Sequence, residues 1–127
     1  MAGIIRRYQK QNLQITPHFN LLEFACKDGS ELILIDDDVI DNLEKIRQII
    51  NAPIKIISGY RTETYNESIN GAKNSYHCRG KAVDIKTDKM PALELAIYAS
   101  RFFNGIIVYN DFVHCDTRYE TYIKINK

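Results

Sequence analysis

A helical period is clearest in residues 38–50, where Val39, Ile40, Leu43, Ile46, Ile49 and Ile50 recur at i, i+3, i+4 and i+7 and would form one apolar face. Asp36, Asp37 and Asp38 precede it, and carboxylates favour a helix start. Without a calcium-loop pattern around them, the cap reading outweighs a cation site. Asn51-Ala52-Pro53 ends the helix. A second amphipathic stretch runs from Pro91, suited to a first turn, to Phe103, with Leu93, Ala96, Ile97 and Phe103 expected on the core side. Residues 62–70 predict a third helix closed by Gly71, and Asn20 to Phe24 a short one after the break at Pro17.

Between the helices lie short runs rich in β-branched residues: Ile54 to Ile57, Ala82 to Ile85, Gly105 to Val108, Phe112 to Cys115 and Tyr122 to Ile125. Leu13 to Ile15 is partly extended by this reading, and Leu32 to Ile35 is an apolar run of either type. Residues 71–81, punctuated by Gly71, Asn74, Ser75 and Gly80, read as a loop. Helices mixed with short strands, the last of them close together, predict an α+β fold: one compact domain with a small antiparallel sheet flanked by helices. The 127 residues hold no repeat or linker and fit a single domain.

Composition removes several function classes. A formal net charge of +1 leaves no basic excess for holding nucleic acid. No segment approaches the roughly 18 apolar residues of a membrane span. Met1 to Tyr8 lacks the apolar stretch of a signal peptide, so synthesis in the cytoplasm without export is the expectation. Cys26, Cys78 and Cys115 show no C-x-x-C spacing and are expected as reduced, packed thiols rather than ligands.

Histidine is scarce: His18, His77 and His114 are the full set. His77 precedes Asp84 by seven residues across a glycine-containing turn, and His114 lies inside an apolar strand. Two imidazoles and a carboxylate would leave zinc an open coordination position, as a hydrolytic site needs. The spacing alone equally permits hydrogen-bonded core histidines.

Several motifs in order go further. Phe19-Asn20-Leu21-Leu22-Glu23-Phe24-Ala25-Cys26, Ser58-Gly59-Tyr60-Arg61, Asn66, Gly71, Lys73-Asn74-Ser75-Tyr76-His77, Gly80-Lys81-Ala82-Val83-Asp84-Ile85 and Phe112-Val113-His114-Cys115-Asp116 together resemble the zinc D-alanyl-D-alanine carboxypeptidase family. That family includes VanX-type dipeptidases and phage endolysin peptidases and shares the Hedgehog/DD-peptidase fold. The similarity covers roughly residues 17–118, leaving 1–16 as a lead-in, and is closest to the compact single-domain branch.

The resemblance implies a peptidoglycan D,D- or L,D-peptidase, carboxypeptidase or endopeptidase in type, using one Zn2+ ion. His77, Asp84 and His114 would be its ligands and Asp111 the base that activates the attacking water. Arg61 would polarise the scissile carbonyl and stabilise its oxyanion, and Ser75 would bind substrate backbone. Many relatives carry glutamate where Asp111 stands, and the shorter aspartate would require a closer strand. Asp116 is the rival base. It shares a strand face with His114, and the favoured role for it is fixing a histidine tautomer.

The partner implied is a peptidoglycan peptide, with the chain acting as a monomer on the wall after lysis or delivery, as a phage or prophage lysin would. Two other classes compete. A zinc-containing module could bind wall peptide or protein without cutting, though candidate catalytic residues beside a full ligand set argue against it. A non-haem iron oxygenase also uses two histidines and a carboxylate. That motif needs a further histidine downstream, and none follows His114.

Overall fold

The computed structural model describes residues 3–126. In chain order the elements are strands β1 (Ile5–Gln9), β2 (Gln14–Thr16) and β3 (Phe19–Asn20), a 3-10 turn (Leu21–Phe24), β4 (Leu32–Asp36), helix α1 (Asp37–Ile50), β5 (Lys55–Ser58), α2 (Glu63–Ser68), a second 3-10 turn (Tyr76–Arg79), β6 (Ala82–Lys86), α3 (Ala92–Ala99), and strands β7 (Gly105–Val108), β8 (Val113–Asp116) and β9 (Tyr122–Ile125). Five strands form the main sheet in the order β5-β6-β8-β7-β9, and β1 with β4 and β2 with β3 form two small antiparallel pairs. The fold is α+β, as expected.

α1 forms where the period placed it. Asp36 caps it by accepting the Asp38 backbone N–H at 2.9 Å, which confirms the capping role of the aspartate run. Asn51 closes it in a left-handed conformation at φ 49°. Val39, Ile40, Leu43, Ile46 and Ile50 are buried, whereas Ile49 is 45% exposed. The N-terminal cap of α2 is Thr62, whose hydroxyl accepts from Tyr65 N–H.

α3 departs from expectation. It ends at Ala99, and its buried face is Leu95, Ala96 and Ala99, with Phe103 packed just beyond. Leu93 and Ile97 are 54% and 58% exposed. The helix is short and apolar nearly all round, so its pattern does not select a face. The lead-in segment contains β1, whose exposed residues carry no alternation and whose order comes from backbone pairing with β4. Leu32 to Ile35 resolves as strand, with Ile33 and Ile35 in the core.

The main sheet is antiparallel except at one edge. β8 ends opposite the start of β7, and the chain crosses that end so that β9 runs parallel to β7. Side chains alternate across the sheet. Val83, Ile85, Ile106, Val108, Val113 and Cys115 fill the core face, where α3 packs on β7 and β8. Two cross-strand rows occupy the other face: Ser58, Asp84, His114 and Ile107, and, one step along, Ala82, Asp116, Gly105 and Tyr122.

His18, to which the sequence assigns no role, joins the β2–β3 turn to α1. Its backbone N–H and Nδ1 meet the two oxygens of Glu44 at 2.9 and 2.6 Å. Burial alone would raise the Glu44 pKa, but hydrogen bonds from His18 and Gln48 outweigh it and hold the carboxyl down to about 2, from 4.5. A depressed folded-state pKa contributes stability that is complete above the unfolded value and lost as pH falls through the folded one. Wild type should therefore exceed Glu44→Gln in stability above pH 4.5, by about 1–3 kcal/mol for charged hydrogen bonds. That gap should close between pH 4.5 and about 2, as read by denaturant melts across the range. A gap unchanged at the acid end would exclude this role for the Glu44 anion.

Candidate metal centre

The cross-strand row sets Asp84 on β6 directly opposite His114 on β8. His77 reaches them from the second 3-10 turn. Ser75 caps that turn by accepting His77 N–H at 3.1 Å, and Gly80 ends it at φ 73°. Gly80 lies so close to the Leu34 carbonyl that a Cβ there would clash. His77 Nε2 lies 3.2 Å and His114 Nδ1 3.1 Å from the same oxygen, Asp84 Oδ1. These three donor atoms lie within 4.8 Å of one another.

What the other ring nitrogens do decides the chemistry. His77 Nδ1 sits 2.8 Å from the Gly59 carbonyl, an acceptor only, so it must be the protonated nitrogen. His114 Nε2 sits 2.7 Å from Asp116 Oδ2 and donates there. In the neutral rings the nitrogens turned toward Asp84 then carry bare lone pairs, aimed at a carboxylate oxygen. Three acceptors meeting without a donor repel one another unless a proton or a metal ion lies among them. The donor set therefore fits a divalent cation with nitrogen and oxygen ligands.

The surrounding charges agree. Burial works against the Asp84 anion, yet the His114 and His77 rings beside it keep its pKa below the usual carboxylate range. Burial alone would lower the His114 pKa, but Asp116 and Asp84 raise it above the ordinary value. For Asp116, burial is outweighed by Arg118 and His114, and its pKa too lies below the usual range. The pocket favours positive charge at its centre.

Arg61 is spent on the carboxylate. Its NH2 donates to Asp84 Oδ2 at 3.1 Å, NH1 to Asn66 Oδ1 at 3.1 Å, and Nε to Ser58 Oγ at 2.9 Å. It thus fixes which Asp84 oxygen faces the histidines. Ser75 is buried and used as the cap that carries His77. Asp116 is wholly buried, and its Oδ2 lies 2.7 Å from His114 Nε2. Asp111 is outside the group of mutually close ligand atoms and is not among the residues lining the cleft beside it. Tyr109 and Phe112 stack at the neck of the β7–β8 hairpin, with ring centroids 4.4 Å apart, and Asp111 stands exposed at its tip.

The trio opens into a cleft of about 430 Å³, walled by Arg61, Tyr76, Tyr109, Phe112 and Arg118. Of the two tyrosines in the motifs, Tyr76 lines the cleft and Tyr60 packs in the core. All three cysteines are unpaired, with Cys26 and Cys115 buried, and none joins the trio among the described residues.

Gly59 and Gly71 have no left-handed φ. They permit close approach instead: a Cβ at Gly59 would strike the Phe24 backbone, and one at Gly71 the Asn66 side chain that supports Arg61. Two site residues escaped the sequence reading. Arg118 and Gly105 both surround Asp116, and the only signals for them were the Asp116-Thr117-Arg118 spacing and a glycine opening a strand.

The chain is 34% identical over 84 residues to the probable peptidoglycan L,D-endopeptidase MepK of Haemophilus influenzae, covering 60% of this chain and 45% of that protein. It is 30% identical over 122 residues to the peptidoglycan L,D-endopeptidase MepK of Escherichia coli K12, covering 88% of this chain and 65% of the relative. The Shigella flexneri protein of the same name matches to the same extent. The chain thus spans between about half and two thirds of these relatives' length. The sequence model for peptidase M15 matches residues 17–116, a span that holds the trio and every side chain supporting it except Arg118, and the chain belongs to this family of metallopeptidases.

Proposed function

We propose that this domain is a zinc peptidase that hydrolyses peptide bonds of peptidoglycan, with one ion held by His77, Asp84 and His114. The observation that carries the reading is the convergence of three lone pairs whose tautomers are fixed from behind by Gly59 and Asp116. The relatives' names supply the substrate class and favour an L,D-endopeptidase over a carboxypeptidase. A cleft walled by aromatic side chains beside the trio suits an extended peptide. Such a substrate is met in the wall, reached after lysis or by delivery.

Zinc in such a site lowers the pKa of a bound water to about 7 and polarises a carbonyl. The chain's own residues do the rest. Arg61 keeps Asp84 Oδ1 turned to the histidines, and its guanidinium on the cleft wall supplies a fixed positive charge for a developing oxyanion. Asp116 holds the His114 proton on Nε2. Ser75 fixes His77 and borders the cleft, where its hydroxyl can meet substrate backbone. Both Asp116 oxygens are engaged by Arg118 and His114, so it is an orienting group. Asp111 is exposed at the hairpin tip and is not among the residues that wall the cleft, so we give it a minor share in proton removal.

Zinc-loaded wild type should release new peptide termini from purified sacculi, read by mass spectrometry. His114→Ala and Asp84→Asn should lose both this activity and the bound ion, measured as metal per chain. Retention of the ion without any new termini in wild type would favour a wall-binding module. Separately, Asp111→Asn should keep its metal and stay within about threefold of wild-type turnover, whereas a loss of about 100-fold or more, the scale of general-base catalysis, would return that role to the hairpin tip.

A further inference from the structure

We infer that Arg118, clamped between Tyr76 and Tyr122, is a positioning residue that sets the metal affinity of His114 through Asp116. The inference rests on the reading of His114 as a ligand. Arg118 Nε donates to Asp116 Oδ1 at 2.8 Å and NH2 to Oδ2 at 2.7 Å, the two-pronged geometry that a planar guanidinium offers and an ammonium does not. The Arg118 backbone N–H adds a third bond to Oδ1 at 3.1 Å. Asp116 Oδ2 is also the oxygen 2.7 Å from His114 Nε2. A chain of charge-assisted hydrogen bonds therefore runs from Arg118 to Asp116 to His114, whose other nitrogen faces Asp84.

The surroundings are shaped for this guanidinium. In the cross-strand row Ala82, Asp116, Gly105, Tyr122, the central aspartate is flanked by the two smallest side chains available. A Cβ on Gly105 would overlap Asp116 Oδ1 and crowd Arg118 Nε, so the missing side chain is the space the pair occupies. Tyr122 stands on the far side of Gly105, and the Arg118 guanidinium carbon lies 4.5 Å from its ring centroid and 4.7 Å from that of Tyr76. Asn104 holds the adjoining backbone by donating to the Arg118 and Tyr119 carbonyls, each at 3.0 Å. By running parallel to β7, strand β9 brings Tyr122 into place to close the clamp.

An orienting carboxylate behind a ligating histidine is typically worth about 10–100-fold in metal affinity. Without Arg118, Asp116 would be a buried carboxylate holding one donor fewer at each oxygen, free to rotate or take up a proton. The test compares wild type, Arg118→Ala, Arg118→Lys and Gly105→Ala, each checked for folding by circular dichroism. Two readouts need no turnover: zinc affinity by chelator competition, and the exchange rate of the His114 Nε2–H proton by NMR in the metal-free protein. Arg118→Ala should bind zinc about 10–100-fold more weakly and exchange that proton faster, and added guanidinium ion should restore much of both.

Arg118→Lys should fall between, for want of the second prong. Gly105→Ala should show the same losses with no rescue by guanidinium, because its Cβ takes the cavity itself. At saturating zinc, Arg118→Ala should lower kcat more than it raises KM. Unchanged affinity and proton exchange in folded Arg118→Ala would overturn the inference, as would losses that guanidinium leaves untouched. If wild type binds no zinc, the metal-centre reading fails instead, and the proton-exchange comparison still decides whether Arg118 holds Asp116 on His114.

Discussion

The Asp84 carboxylate divides its two oxygens between opposite duties, and the site depends on that division. Oδ2 receives the Arg61 guanidinium, and Oδ1 is left to the two imidazoles. A buried anion is costly without a fixed partner, and removing one partner of such a pair typically costs about 3–5 kcal/mol. Arg61 therefore keeps the carboxylate both charged and aimed. Its own position follows from Ser58 beneath it on β5 and Asn66 on α2, and Asn66 is held in turn by the Ala72 carbonyl. Gly71 has no Cβ because Asn66 fills that space. Features scattered over residues 58–84 thus serve one carboxylate orientation.

Sheet register is the other half of the constraint. Asp84 and His114 are neighbours because β6 and β8 pair with no irregularity between them, whereas β5 accommodates a shift before Ser58. A slip of one residue between β6 and β8 would send one of the two into the core face. Val83, Ile85, Val113 and Cys115 resist such a slip because the same alternation buries them. The core and the cleft are two faces of one pattern, so core packing enforces the geometry of the site.

This shared alternation explains what could be read in the sequence. α1, β6, β8 and the trio candidates carry strong local patterns: a helical period with caps, or short apolar strands interrupted by one polar residue on a fixed parity. Asp116 followed from the same parity. The exposed side of α3 did not, since Leu93, Leu95, Ala96 and Ile97 are all apolar and only packing against β7 and β8 chooses among them. β1 was hidden because its strand character lies in backbone bonds to β4. Asp111 has the right spacing from His114, but that spacing crosses a hairpin neck, where strand parity ceases to apply. Arg61 was found, but no sequence pattern shows that all three nitrogens of its guanidinium would also be engaged by Ser58, Asn66 and Asp84. Gly105 and Arg118 were missed because their meaning lies in a neighbour across the sheet.

Each member of the trio is backed by a different kind of group: a backbone carbonyl behind His77, a guanidinium behind Asp84, and a carboxylate with its own guanidinium behind His114. This has an electrostatic consequence. Asp84 and Asp116 bring two negative charges, and Arg61 and Arg118 bring two positive ones, so the fixed charges nearest the trio cancel. Two bare carboxylates would instead offset the full charge of a divalent ion and blunt its pull on a bound water. With the arginines in place the aspartates would keep their proposed geometric roles, as ligand and as orienter, while the charge of a bound ion would stay largely available to the cleft. Low-dielectric walls lengthen the reach of that charge. On the proposed reading, the two arginines would thus reconcile anionic groups needed near a metal for geometry with an acidity at that metal that the anions would otherwise remove.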